Sequence, residues 1–172
     1  MLFRSAANAW ASGLSVGGFT GWRLPTMVDT GTAGCDFAFA GTDCGYNVQT
    51  KAGATVYSEM AHLYYVTLGN KAPYTTTGAG NVDGWGLTNT GDFQNLEAPN
   101  YWSGLEYAPV PSAAWLFSTV EGFQTGGDKG VPLFALAVRP GDVAAAVPEP
   151  ESLALVLLGL AAAGVARRRR PL

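Results

Sequence analysis

Gly126-Gly127-Asp128-Lys129-Gly130-Val131-Pro132-Leu133-Phe134-Ala135-Leu136-Ala137-Val138-Arg139 is the stretch that decides the fold class. Phe134, Leu136 and Val138 alternate with Ala135, Ala137 and Arg139, the period of two that a half-buried strand shows. The glycine-rich residues 126–130 ahead of it read as a hairpin turn. Working outward, 101–107 and 113–123 are two further strand candidates, rich in aromatic residues.

Towards the N-terminus the pattern becomes helical. Ala6, Trp10 and Leu14 recur at i, i+4 and i+8 within residues 6–16, and Gly17-Gly18 closes that segment. Met60, Leu63, Tyr64 and Leu68 mark a second helix over 57–68, stopped by Gly69-Asn70. Residues 73–99 hold Gly, Thr and Asn with little periodicity, a long loop region packed by its own aromatics. Two helices followed by an antiparallel sheet indicate an α+β domain with long Gly-rich loops. Trp22, Trp102 and Trp115 are its expected core.

Composition narrows the function classes. The 172 residues include 23 glycines, about 13% where roughly 7% is ordinary, so one domain with many turns is expected. Charged residues make up only 13%, yet the hydrophobic share is 48%, which excludes a disordered or polybasic chain. Four of the 10 basic residues are Arg167, Arg168, Arg169 and Arg170; without residues 148–172 the body carries 6 basic against 11 acidic groups. That sign is opposite to a phosphate-tracking groove, so no nucleic-acid partner is expected.

The last 30 residues, 143–172, form a separate segment. Pro148-Glu149-Pro150 is followed by 15 uncharged residues, 152–166, and then by the four arginines. As a helix that apolar stretch spans about 22 Å, short of a hydrocarbon core of roughly 30 Å. Arginines stay on the cytoplasmic side of a bilayer, which would leave the body outside. The two prolines keep the helix from extending backwards and hold the motif extended.

This order of elements closely resembles the PEP-CTERM sorting signal of Gram-negative bacteria. The resemblance implies processing near Pro148-Glu149-Pro150 by an exosortase, a membrane-embedded cysteine transpeptidase-like enzyme. It implies an inner-membrane precursor and a product at the cell surface or in the extracellular matrix. A plain tail anchor or a buried C-terminal helix is the competing reading. Export also calls for an N-terminal signal, and residues 1–10 hold no apolar run of that kind. The expectation is that Met1 is not the native start and that a signal peptide and a first strand lie upstream.

Gly21-Trp22-Arg23-Leu24-Pro25-Thr26 is the most distinctive block of the body. A glycine turn delivers a large aromatic and a leucine towards a core, and Pro25 ends the strand. With this block, the Ala- and Trp-bearing helix before it, Tyr101-Trp102-Ser103, Ala114-Trp115-Leu116-Phe117 and Ala137-Val138-Arg139, residues 1–142 resemble the Lcl C-terminal domain family. That resemblance implies a C-type-lectin-like fold, related to formylglycine-generating enzymes.

Few residues are placed for chemistry. Cys35 and Cys44, an even number within one loop of an exported body, read as a disulfide; no CxxC motif or neighbouring histidine favours zinc or a reactive thiolate. His62, the single histidine, falls off the apolar face of its helix and reads as solvated. Asp83, Asp92 and Asp128 read as Asx-turn residues, since the calcium-loop pattern is missing. Tyr107, Phe123 and Gln124 stand near strand ends, where they are the candidate face for a saccharide or protein ligand. No cofactor and no metal is expected.

Three functions are compatible with these features. The first is a non-catalytic exported protein, possessed of a lectin-like body and sorted by its tail. The second is a binding module for adhesion to saccharide or protein. The third, a formylglycine-generating type of enzyme, needs a late cysteine pair, whereas Cys35 and Cys44 come early.

Overall fold

The computed structural model describes residues 1–29, 38–41, 43–48, 51–52, 55–56, 58–97 and 99–140. The chain divides into two compact units, Met1–Arg139 and Pro140–Leu172. The first unit is described below; the sorting segment, with its expected helix 152–166, lies outside the described residues.

The first unit is a small α+β domain. Helix α1, Arg4–Ser12, is followed by the short strands β1 (Gly45–Tyr46), β2 (Lys51–Ala52) and β3 (Thr55–Val56). Helix α2, Glu59–Ala61, runs into a π-helical segment, His62–Thr67, and the long strands β4 (Asn100–Glu106), β5 (Ala113–Ser118) and β6 (Phe123–Asp128) come last. The main sheet has the order β1-β6-β5-β4, antiparallel throughout, while β2 and β3 pair separately.

Both faces of the sheet are covered, so β5 is buried along Ala114, Trp115, Leu116 and Phe117 rather than on alternate residues. Phe117 and its partner Tyr101 pack with Met60, Tyr64 and Leu68 on one side. Leu116 and its partner Trp102 pack with Ala7, Ala11 and Leu24 on the other.

Helix α1 buries Arg4, Ala7 and Ala11, not the expected Ala6, Trp10 and Leu14; Trp10 is left 40% exposed. Small alanines let the helix approach Trp102 closely, which a face carrying Trp10 could not do. The buried Arg4 guanidinium lies 3.9 Å from Glu106, and desolvation lowers its pKa. The second expected helix is present in its apolar positions, with a wider turn. Leu68 N–H donates to Leu63 O and Asn70 N–H to Tyr64 O, at 2.9 and 3.0 Å. The extra residue in this turn directs two consecutive tyrosines at the sheet: Tyr64 and Tyr65 both meet the Phe117 ring. Burial pushes the Tyr64 hydroxyl up to about 12, with Glu121 adding to it.

The hairpin turn lies elsewhere than the glycine pattern indicates. Residues 119–122 connect β5 to β6, and Gly126-Gly127 stand inside β6, paired with Trp115 and Ala114. Their missing side chains provide space: a Cβ on Gly126 would sit 3.0 Å from the Tyr107 ring. The expected strand 131–139 is an extended edge segment instead, with single bridges Leu2↔Leu133, Tyr101↔Phe134 and Arg23↔Val138. It alternates partners along its length, so its period of two is real but its pairing is divided.

The Gly21–Thr26 block is the clasp of the domain. Gly21 takes φ +78, Leu24 and Pro25 are buried, and Trp22 is only half-buried, its indole N–H donating to Phe19 O. Trp102 and Trp115, by contrast, are fully buried. Arg23 donates twice to Glu59, at 2.7 and 2.8 Å, while Thr26 N–H donates to the same carboxylate at 2.7 Å. A bulge in β4 between Trp102 and Glu106 releases Gly104 N–H and Ser103 Oγ, which both donate to Pro25 O.

Two measurements check this account. Gly122 holds φ +68 and a Cβ there would meet Tyr64 Cε1 at 2.7 Å, so Gly122→Ala is expected to lower unfolding stability by about 2–4 kcal/mol in urea titrations. Burial alone would raise the Glu59 pKa, but the Arg23 and Thr26 bonds outweigh it and the net shift is downward. A depressed carboxylate contributes stability above its unfolded value of about 4.3, and loses it as pH falls through the lower folded value. Wild type is therefore expected to lose more stability than Glu59→Gln on acidification below about pH 4; parallel curves would refute the clasp.

Candidate functional site

A cleft among the described residues is built from distant parts of the chain. Its outer wall is the 92–96 loop and its inner wall is Tyr101 of β4 with the 134–136 edge segment, enclosing about 360 Å³. A second hollow of about 310 Å³ is lined by residues 81–85 of a single loop.

The cleft owes its outer wall to Asn70. This buried side chain follows Gly69, whose φ of +68 ends the π-helical segment. Asn70 Oδ1 accepts from Thr88 N–H at 3.0 Å and Asn89 N–H at 2.9 Å, and its Nδ2 donates to Asn89 O at 2.8 Å. Asn89 in turn donates to Leu68 O and accepts from Gly91 N–H. On the far side Thr119 Oγ1 donates to Glu97 O and Pro99 O, both at 2.8 Å. Pinned at both ends, the loop turns Leu96 inward and leaves Asp92, Phe93, Gln94 and Asn95 exposed. Tyr101 and Phe134 form the floor, their ring centroids 5.6 Å apart.

The ligand face expected at Tyr107, Phe123 and Gln124 is not exposed. Tyr107 is buried edge-on against Trp115 at 4.8 Å, held over Gly126. Gln124 is buried as a cross-link: Ser58 Oγ donates to its Oε1 at 2.7 Å, and its Nε2 donates to Asp43 O at 2.6 Å. Phe123 is half-buried beside Tyr46 at 4.8 Å, in an aromatic group with Tyr74 and Phe39. Burial, followed by Glu121, raises the pKa of Tyr46. Strand ends are half-exposed only when no other segment crosses them; here residues 38–41, 43–48 and 74–80 do.

Asp128 makes an Asx turn with Gly130 N–H, whereas Asp92 lines the cleft. His62 is half-buried, with Nδ1 out of solvent and unbonded, rather than solvated. Among the described residues no group of three His, Cys, Asp or Glu could hold a metal ion. Cys44 is buried and no described cysteine is a free thiol; Cys35 lies outside the described residues. Among the described residues no helix is long and apolar enough to cross a membrane.

The tail is decided by comparison. Residues 146–170 match the PEP-CTERM protein-sorting motif. The match takes in Pro148, Glu149, Pro150 and all four of Arg167, Arg168, Arg169 and Arg170, which lie outside the described residues. Comparison with curated proteins and with solved structures finds no match for the chain.

The role given to Asn70 is measurable. Asn70→Ala strands the N–H groups of Thr88 and Asn89, and a loss of roughly 2–4 kcal/mol in unfolding stability is expected from two orphaned donors. Hydrogen exchange at residues 88–91 should rise in the same variant.

Proposed function

We propose that this chain is a non-catalytic exported protein, delivered to the cell surface or extracellular matrix through exosortase processing of its tail. The observation that carries the reading is the match of residues 146–170 to the PEP-CTERM protein-sorting motif. The physical parts agree with it. The arginines orient the segment, the 15 uncharged residues enter the inner membrane, and Pro148-Glu149-Pro150 offers an extended backbone that a processing enzyme binds without unwinding a helix.

The body is read as Lcl C-terminal-like with a C-type-lectin-like fold. Supporting this are helices on both faces of an antiparallel sheet and the Gly21–Thr26 block at the centre of the domain's polar contacts. A Cys35–Cys44 disulfide belongs to the same reading, supported by the buried Cys44 and the oxidising compartment. A ligand-binding role has one observation in its favour, the cleft at residues 92–96.

Immunoblots of fractionated cells, with and without the exosortase gene, test the sorting reading. Wild type is expected as a shorter product outside the inner membrane only where the enzyme is present. Pro148→Ala with Pro150→Ala should leave insertion intact and accumulate full-length chain in the membrane fraction. Equal size and location in both strains would reduce the tail to an anchor.

A further inference from the structure

The cleft between the 92–96 loop and the 134–136 segment is lined by residues outside the sorting motif, 146–170. Asp92, Gln94 and Asn95 are exposed on its rim, and none of their side chains has a hydrogen bond or ion pair among the described residues. Phe93, set among them, is 41% exposed. Below lie Tyr101 and Phe134, so an aromatic floor meets a polar rim in a volume of about 360 Å³. That volume falls within the roughly 300–1,000 Å³ of small-ligand sites, which combine apolar walls with a few polar groups.

The donor set selects the ligand class. A carboxylate only accepts hydrogen bonds, while each amide both donates and accepts, so the three rim groups complement a ligand bearing several hydroxyls. The exposed Phe93 ring complements an apolar ring face beside those hydroxyls. A wholly apolar ligand would cover part of the rim without pairing its polar groups. An anionic ligand would meet Asp92, the one charged side chain lining the cleft, on a chain of net charge −3.

We propose that this cleft binds a neutral saccharide, with Phe93 against the face of one sugar ring and Asp92, Gln94 and Asn95 bonded to its hydroxyls. It is a binding site and not a hydrolytic one, because glycoside cleavage ordinarily uses two carboxylates flanking the bond and Asp92 lines the cleft alone. The proposal gives the ligand-binding reading a ligand class and a location, and is independent of the sorting tail.

The test is saturation-transfer NMR on the full chain, held in a detergent without a sugar headgroup. Cellohexaose, mannohexaose and chitohexaose are the probes, and oligogalacturonate is the acidic comparison, each with and without EDTA. At least one neutral probe is expected to bind regardless of EDTA and to be recovered uncleaved. Phe93→Ala and Asn95→Ala should each weaken it about tenfold or more, equivalent to about 1.4 kcal/mol, at unchanged melting temperature. Binding of none of the three, binding of the galacturonate alone, or equal binding by both variants would overturn the proposal. Immunoblots of Phe93→Ala cells should show wild-type processing, which separates failure of this site from failure of sorting.

Discussion

The domain depends on one ion pair and the backbone around it. Arg23 and Glu59 are 36 residues apart, and their two-pronged bond joins the segment ahead of the cysteine loop to the start of α2. The same carboxylate accepts Thr26 N–H, and Glu59 N–H donates to Thr26 O at 3.0 Å. Each group thereby orients the other, as a planar guanidinium requires. Arg23 also exchanges backbone bonds with Val138, and Pro25 O accepts from the β4 bulge. One short block therefore touches α2, β4 and the edge segment, and its Leu24 packs into the core on one face of the sheet.

Around that clasp, the polar side chains that could have formed a ligand face are spent on structure. Gln124 and Ser58 lock the N-terminus of α2 to β6, since Ser58 Oγ accepts Ala61 N–H while donating to Gln124. Asp29 accepts from Trp115 Nε1 at 2.7 Å and Ala108 N–H at 2.9 Å, so even a buried indole is satisfied. The rim of the cleft is built differently. Asn70 and Thr119 hold the ends of its loop and leave its middle residues without internal partners. Three polar side chains thus stand exposed together beside an aromatic floor, the arrangement on which the proposed saccharide site rests.

Body and tail answer to different physics. In the body, glycines serve close packing: Gly126 receives the Tyr107 ring, and Gly122 makes a turn under Tyr64 and Tyr65. In the tail the order of charge, apolarity and proline carries the information, and it is legible to a bilayer and a processing enzyme without any tertiary fold.

The tail motif, the α+β class, strand β4, the start of β5 and the apolar positions of the second helix could be read from the chain alone, because each depends on local order or on a period within one element. The cleft could not. Asp92, Phe93, Gln94 and Asn95 looked like one more polar loop until Asn70 and the 134–136 segment were brought beside them. Likewise the glycines at 126–127 read as a turn because the Tyr107 ring seated on Gly126 comes from beyond the end of β4, and Tyr107 and Gln124 read as exposed because the segments covering them are distant in sequence. Periodicity reports which face of an element is apolar, whereas burial depends on what crosses that face, and long-range packing alone decides it.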